Sequence, residues 1–411
     1  MIKKYKILLI SFLVVFSVAY FLNHKYRAPK KNYADFRCFY TAGKRMADGE
    51  NIYVIRDQQA AEYRYAPVFA LFMSALAAAD IDTADSLWFI INYLLLVAVF
   101  ILLKKMVFTE RLQLKSSIIF IILVMLGIIR FIFPNFDNGQ SNIMMMAAIT
   151  TGLYLVSKKM EVAGGAILAF SAMIKYTPLI FIPYFFFRRK YRLASIIMAS
   201  LLAYLILPAA FIGWRANFIY LGRLLPFLTQ STILEPGTIL DPKNQSLLSA
   251  LQRLFTYCIS SYHAPHMPFE SLNLSAGFVN FIFISSAILL YGTIFIKPRL
   301  DKNSTLYYNI DYALLLICVS LFNLNAWMQA YILLLMPYFV IVYYLIKCAF
   351  RDKLVSGLLL MSYILNIITI KGLFGEQFSY KAHFYSPYTL MGLILFLALL
   401  KIKFLSVMKK G

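Results

Sequence analysis

The chain has 411 residues, of which 61% are hydrophobic and 14% charged, with a mean hydropathy of +0.73 and a formal net charge of +22. Soluble domains carry about 25% charged residues, and the apolar runs here are long enough to cross a hydrocarbon core of about 30 Å, so a soluble enzyme is excluded. The Lys and Arg residues fall in short clusters between these runs, which is typical of membrane topology and of anionic lipid headgroups rather than of nucleic-acid binding.

The amino-terminal part of the chain predicts one membrane segment followed by a long outer loop. Basic residues precede the apolar run 7–22, so we expect the amino terminus on the cytoplasmic side. Residues 23–85 then form the first extracytoplasmic loop, with short helices lying along the membrane interface. Within this loop, residues 67–79 are apolar but too short to cross unaided, and they predict a re-entrant or interfacial helix.

The rest of the chain predicts spans that alternate in direction, with basic turns on the cytoplasmic side. A second long extracytoplasmic loop covers residues 214–274, and the last span ends inside, so both termini are expected in the cytoplasm. The fold class predicted is an all-α polytopic membrane protein with about 12 membrane segments, built as one integral membrane domain over residues 1–411. The predicted segments after the first loop are 86–103, 116–134, 142–157, 162–187, 193–213, 275–296, 306–325, 328–346, 354–370 and 386–404.

One of these stretches has basic clusters at both ends. Residues 162–187 therefore predict a hairpin of two short helices, broken near Thr177-Pro178. At about 1.5 Å rise per residue, Lys175 would lie roughly 18 Å above the cytoplasmic edge. A lysine at that depth is costly unless it faces a wet cavity or an anion such as a lipid phosphate. A side chain that snorkels to the interface is the alternative.

Asp35 is the first candidate site residue. It follows the first apolar run and lies among aromatic and basic residues in the sequence. A carboxylate at a membrane surface can deprotonate a hydroxyl, which is the role of a general base. A helix cap or a solvated charge is the alternative for a lone aspartate.

Two polar clusters on the outer side are further candidates, Asn138–Asn142 and Asn244–Ser246. Each could cap a helix, and each could present amide groups to sugar hydroxyls. His263 and His266 are spaced poorly for a metal pair, and no third ligand is evident. A disulfide between Cys38 and Cys258 is left open, since both lie in predicted outer loops.

Four groups of residues follow one another along the chain, namely Asp35-Phe36 with Tyr40, Ala42, Gly49, Tyr53, Tyr65 and Pro67, then Gly139-Gln140-Ser141-Asn142, then Lys175-Tyr176-Thr177-Pro178, and then Asn244-Gln245-Ser246. In this order they resemble glycosyltransferase family 87. Its members are polyprenyl-phosphate-mannose-dependent mannosyltransferases and relatives with the type C membrane glycosyltransferase fold. The resemblance runs from about residue 33 to 250, and more loosely to residue 340.

The resemblance implies an inverting sugar transfer on the extracytoplasmic side of the cell membrane, with Asp35 as the catalytic base. It also implies a donor with one sugar, mannose, on a polyprenyl monophosphate. We expect Lys175, Arg64 and Arg223 to hold the donor phosphate. We expect the sugar and the acceptor to be contacted by Gln140, Asn142, Asn244, Gln245, Tyr65 and Gln329.

The chain departs from the family near its end, where relatives have a Trp closely followed by His. Here the chain reads Trp327-Met328-Gln329. Glutamine cannot act as a base, so a histidine role at this place is either lost or has moved to another residue, for which His383 is the candidate. This departure concerns the sugar and the acceptor more than the fold.

The predicted partners are a polyprenyl-phosphate sugar donor, a lipid or glycan acceptor and membrane lipids, with no nucleic acid. No cofactor is predicted, and a divalent cation stays an open alternative. A lipid-sugar flippase and a glycan-polymer ligase remain rival functions, because a flippase also needs a broken helix and intramembrane charge. A flippase would leave the sugar–phosphate bond intact, whereas a ligase would differ in the size of its donor.

Overall fold

The computed structural model describes residues 2–53, 62–229, 239–256, 272–297 and 305–405, and all regular structure in these residues is helical. The pair Cys38–Cys258 and the histidines His263 and His266 depend on residues outside the described part. In the first half of the chain the helices are α1 (Ile2–Arg27), α2 (Ala34–Ala47), α3 (Pro67–Leu76), α4 (Ile81–Val107), α5 (Leu114–Asp137), α6 (Asn142–Ser157), α7 (Glu161–Ile174), α8 (Phe181–Phe187), α9 (Tyr191–Ile206), α10 (Ala209–Ile212) and α11 (Trp214–Thr229).

The second half of the chain is also helical wherever it is described. Its α-helices are α12 (Leu247–Phe255), α13 (Ala276–Thr293), α14 (Thr305–Leu321), α15 (Leu335–Lys347), α16 (Lys353–Ile367), α17 (Lys371–Phe374), α18 (Glu376–Phe384) and α19 (Pro387–Leu405). Short 3₁₀ helices cover Pro29–Lys31, Thr177–Ile180 and Met328–Leu334.

Within the described residues, 6 helices are long and apolar enough to cross a membrane. Their length and composition agree with the predicted all-α, multi-pass membrane protein, while the number of segments and the type C fold stay predictions. The shorter apolar helices include both arms of the predicted hairpin. The long ones are Ile81–Val107, Leu114–Asp137, Tyr191–Ile212, Ala276–Thr293, Met328–Lys347 and Pro387–Phe404.

The segment Met328–Lys347 forms the centre of the helix packing. It is 94% buried, against 6% for Ala276–Thr293 at the periphery. It packs against α4, α5, α14 and α19. Peripheral helices instead expose large aliphatic side chains, as expected for surfaces that face lipid tails.

The predicted hairpin is broken where the sequence indicated. Helix α7 ends at Ile174, Lys175 has an extended backbone, and a 3₁₀ turn over Thr177–Ile180 leads into α8. Pro178 lacks a backbone N–H and restricts the residue before it, so an α-helix cannot run straight through this point. The break leaves the side chain of Lys175 at the end of a helix rather than along its flank.

The first predicted outer loop contains two helices that pack closely on each other. Helix α2 crosses α3 at Gly43, where an added Cβ would lie 2.6 Å from the carbonyl carbon of Met73. Only glycine allows this approach. The apolar stretch predicted as a re-entrant or interfacial helix is the ten-residue helix Pro67–Leu76. Together the two helices bring the start of α2 against the junction between α5 and α6.

Candidate active site

A cavity of about 480 Å³ opens between α2, the α5–α6 junction, the broken hairpin and the segment before α15. Its lining combines polar residues with an apolar part that includes Leu179, Leu201, Leu205 and Leu224. Most of the predicted site residues line this cavity, namely Asp35, Arg64, Tyr65, Gln140, Asn142, Lys175 and Gln329.

Asp35 lies in the first turn of α2, half-buried in the cavity wall. Its backbone N–H donates to the carbonyl oxygen of Asn138 at 3.1 Å, which attaches α2 to the α5–α6 junction. The Gln140 amide donates a hydrogen bond to the carboxylate oxygen Oδ2. Among the described residues the other oxygen, Oδ1, has no hydrogen-bond partner, so it is available to a hydroxyl in the cavity.

The backbone before Asp35 is strained. Asn32, Tyr33 and Ala34 all have positive φ, at 50°, 58° and 45°. Such conformations cost non-glycine residues about 1 kcal/mol or more each, and they persist only where packing imposes them. The Tyr33 hydroxyl donates to a carboxylate oxygen of Asp82 at 2.8 Å. Phe36, which follows Asp35 in the sequence, is fully buried. These contacts determine where α2 begins and therefore where Asp35 lies.

Gly139 forms the turn that faces Asp35. Its φ is +60°, and an added Cβ would lie 2.5 Å from the Cβ of Phe36. The Trp88 indole donates to the carbonyl oxygen of Gly139 at 2.9 Å. A glycine is needed here both for the left-handed backbone and for the close approach of α2.

A chain of hydrogen bonds connects Asp35 to Lys175. Lys175 Nζ donates to Asn142 Oδ1 at 2.6 Å, and Asn142 Nδ2 lies 3.5 Å from Gln140 Oε1. Gln140 in turn donates to Asp35. The motif Gly139-Gln140-Ser141-Asn142 thus holds the carboxylate of Asp35 with one amide and the ammonium of Lys175 with the other.

Lys175 has no carboxylate within ion-pair distance in the described part of the chain. Its hydrogen bond to Asn142 orients the ammonium group without neutralising it. The remaining donors of the ammonium can therefore bind an anion that enters the cavity.

Arg64 supplies the other positive charge in the lining. It is paired with Glu62, with Nη2 2.8 Å from Oε2, and the two side chains are 35% and 18% exposed. Tyr65 lies beside them and packs edge-on against Phe39, with ring centroids 5.0 Å apart. Glu62 reduces the charge that Arg64 offers to a phosphate, so Lys175 is the stronger candidate for that contact.

The opposite wall is the segment from Asn323 to Ala330. Gln329 lines the cavity, and its backbone carbonyl accepts a hydrogen bond from Asn135 Nδ2 at 2.9 Å. Asn135 also accepts from Asn142 Nδ2 at 3.0 Å. The two walls are therefore joined through a buried amide.

Some predicted site residues lie outside the cavity lining. Arg223 is exposed on α11, where its guanidinium is 3.4 Å from the carbonyl oxygen of Tyr53. The Asn244 amide instead donates to the Leu324 carbonyl at 2.9 Å and accepts from the N–H of Ala326 at 3.2 Å.

Gln245 and His383 are also directed elsewhere. Gln245 Nε2 donates to the backbone carbonyls of Pro242 and His383. His383 Nδ1 lies 2.6 Å from the carbonyl oxygen of Ser379. Ser246 caps α12 through the N–H of Ser249 at 3.1 Å, which is the capping role that the sequence left open for this cluster.

The electrostatic setting of Asp35 favours a proton acceptor. Burial raises the pKa of Asp35, the charge of Lys175 and the Gln140 hydrogen bond lower it, and the pKa stays above its ordinary value. A carboxylate with a raised pKa is a stronger base than an exposed one. Within the described residues, no three His, Cys, Asp or Glu side chains gather in a way that could hold a metal ion.

Sequence reasoning missed several residues of the site. Asn135 lies one residue beyond the predicted span 116–134, and Glu62, Asn323 and Asn325 carry no motif. The single available signal was their polarity next to apolar runs.

Residues 63–265 match the model of glycosyltransferase family 87. The matched region includes Gln140, Asn142 and Lys175, and it begins beyond Asp35. None of the curated proteins compared with the chain matches it. The match covers the motifs that hold the cavity together, and over these residues the chain is similar to glycosyltransferase family 87, which supports a membrane glycosyltransferase.

Proposed function

We propose that the chain transfers one sugar, mannose, from a polyprenyl-phosphate donor to a lipid or glycan acceptor, with inversion at the anomeric carbon. The observation that carries this proposal is the hydrogen-bonded chain from Asp35 through Gln140 and Asn142 to Lys175. It holds a carboxylate and an unneutralised ammonium in one cavity. A transfer from a phosphate to a hydroxyl needs a base for the hydroxyl and a cation for the phosphate.

In the proposed reaction Asp35 accepts the proton of the acceptor hydroxyl while that oxygen bonds to the anomeric carbon. The bond from that carbon to the phosphate oxygen breaks, and the polyprenyl phosphate leaves with the electron pair. Lys175, assisted by Arg64, stabilises the negative charge of the phosphate. Gln140 and Asn142 hold Asp35 and Lys175 and offer amide groups to the sugar.

A lipid-linked donor is supported by the apolar side of the cavity. Leu201 and Leu205 belong to α9, which is part of the segment Tyr191–Ile212 that is long and apolar enough to span a membrane. A polyprenyl chain can lie among such side chains while its phosphate reaches Lys175. The positive-inside pattern supports a cavity on the extracytoplasmic side, with both termini in the cytoplasm.

The test uses purified protein, radiolabelled polyprenyl-phosphate mannose and an extract of membrane lipids from the cells that make the protein. We expect label in a new glycosylated product together with free polyprenyl phosphate. Asp35→Asn should reduce this transfer by about 10²- to 10⁴-fold, the usual contribution of a general base.

Asp48→Asn is the matched control, because Asp48 is exposed at the other end of the same helix. It should retain the wild-type rate. Full activity in Asp35→Asn would remove Asp35 from the mechanism. Movement of the intact donor across the bilayer, with no broken sugar–phosphate bond, would instead favour a flippase.

A further inference from the structure

The segment Asn323–Gln329 has features that the transfer of a sugar from its donor does not use. Asn323, Asn325 and Gln329 line the cavity together with Trp327. Trp327 is 41% exposed, although it belongs to the cavity wall. An exposed indole at the rim of a polar cavity is a ready surface for a ligand with an apolar face.

This wall is held rigidly in place. The indole N–H of Trp327 donates to Asn325 Oδ1 at 2.6 Å, so the ring has a defined orientation. Asn244 braces the same segment through Leu324 and Ala326, and the backbone N–H of Gln245 donates to the Ala326 carbonyl at 2.8 Å. Side chains fixed in this way bind a ligand without losing much conformational entropy.

The chemistry of the wall indicates what it binds. Its side chains that line the cavity are neutral amides and one indole, and amides both donate and accept hydrogen bonds, as hydroxyl groups require. An amine would call for a carboxylate, which this segment lacks, and an acyl chain would leave the amides unpaired. A pyranose ring satisfies both features, with hydroxyls for the amides and a C–H face for the indole.

We propose that this wall, Asn323–Gln329, is an acceptor subsite that binds a sugar ring, so that the acceptor is already glycosylated. This inference rests on the proposed function, in which the donor occupies Lys175 and the apolar side of the cavity. The polar wall is then left to the molecule that brings the hydroxyl. Trp327 stacks on the acceptor sugar, and Asn325 positions Trp327.

The binding test is independent of transfer. In the Trp214→Phe protein, fluorescence is measured while methyl α-mannoside, methyl glucoside or methyl galactoside is added, with glycerol as the non-sugar control. We expect a saturable change with at least one glycoside and none with glycerol. The change should be absent when Trp327→Phe is added, because the remaining Trp88 is buried. No response to any of these glycosides would overturn the subsite.

The kinetic test compares octyl mannoside with octanol as acceptors for the labelled donor. Wild type should prefer the glycoside, and Trp327→Ala should raise the KM for octyl mannoside about tenfold while the KM for the donor stays unchanged. Trp327→Phe should restore most of the affinity, and Asn325→Ala should raise the same KM less strongly.

Trp214→Ala is the matched control, since Trp214 is also an exposed tryptophan but lies outside the cavity lining. Equal effects of the two tryptophan variants would make Trp327 an interfacial anchor and refute the subsite. Absence of transfer in the wild type with any donor would count against the proposed function, and the fluorescence result would then decide the subsite alone.

Discussion

Asp35 is a carboxylate whose proton affinity is set by opposing influences. Burial raises its pKa, while Lys175 and Gln140 lower it, and burial prevails. The lysine and the glutamine are both held by Asn142, so one buried amide adjusts the base as well as the cation. The site is therefore tuned by its hydrogen-bonded chain rather than by any single residue.

The raised pKa predicts the pH dependence of transfer. Only the deprotonated carboxylate can accept a proton, so activity should fall as the pH decreases through the pKa of Asp35. Because that pKa is raised, the fall should lie above the range near pH 4 where exposed aspartates titrate. The logarithm of kcat/KM measured between about pH 4 and pH 8 would show it.

The fall in activity at low pH is the acid limb of the pH profile. Lys175→Met should shift this acid limb to higher pH, because the variant removes a positive charge that lowers the pKa of Asp35. Lys44→Met, which changes an exposed lysine on the same helix, should leave the limb where it is. A limb that does not move in Lys175→Met would show that Asp35 is not the titrating base.

At the scale of elements, the junction between α5 and α6 assembles the site. It supplies the backbone acceptor for Asp35 from Asn138, the amide of Gln140 and the amide of Asn142. Gly139 lets α2 approach this junction, since its position has no room for a side chain. Helix packing and catalytic geometry are thus determined by the same short turn.

Gly139→Ala is expected to reduce transfer by more than about tenfold and to lower the thermal unfolding temperature. The new Cβ would meet Phe36 at 2.5 Å, which forces α2 and Asp35 away from Gln140. Gly49→Ala is the control, because Gly49 has a similar φ of +70° but open space around it.

The control isolates the backbone cost of a left-handed residue from the steric clash. Activity and melting should be followed together in detergent. If both alanine variants lose the same activity, the approach of Phe36 to the turn does not matter for the site.

For the whole molecule, one group of buried charges outside the site forms a cluster around Asp311. This aspartate is fully buried in α14 and accepts hydrogen bonds from Tyr184 at 3.0 Å and Lys403 at 2.9 Å, and from Arg188. Arg188 and Lys403 also donate to the Ile294 carbonyl. The cluster joins the second arm of the broken hairpin to α13, α14 and α19.

Asp311→Asn should destabilise the protein strongly, by about 3–5 kcal/mol, because it leaves two cations without their buried counter-charge. We expect a clear decrease in the unfolding temperature measured in detergent. Glu376→Gln breaks an exposed pair with Lys371 and should leave the temperature unchanged. A stable Asp311→Asn protein would mean that the cations find other partners.

Much of the fold and of the site follows from local sequence. Apolar run length is a local property, and it was enough to predict a multi-pass helical protein and a hairpin broken at Pro178. The order of short motifs was enough to predict the family, which the match to residues 63–265 confirms. The same motifs named Asp35, Gln140, Asn142 and Lys175, all of which line one cavity.

Only the tertiary structure decided which polar residues face that cavity. Gln140 meets Asp35 across 105 positions of sequence, and the Asn244 amide meets Ala326 across 82. An amide serves equally well as a ligand or as a backbone brace, so its type and neighbours in sequence do not say which. Long-range packing makes that choice, and it directs Asn244 away from the cavity while leaving Trp327 at its rim.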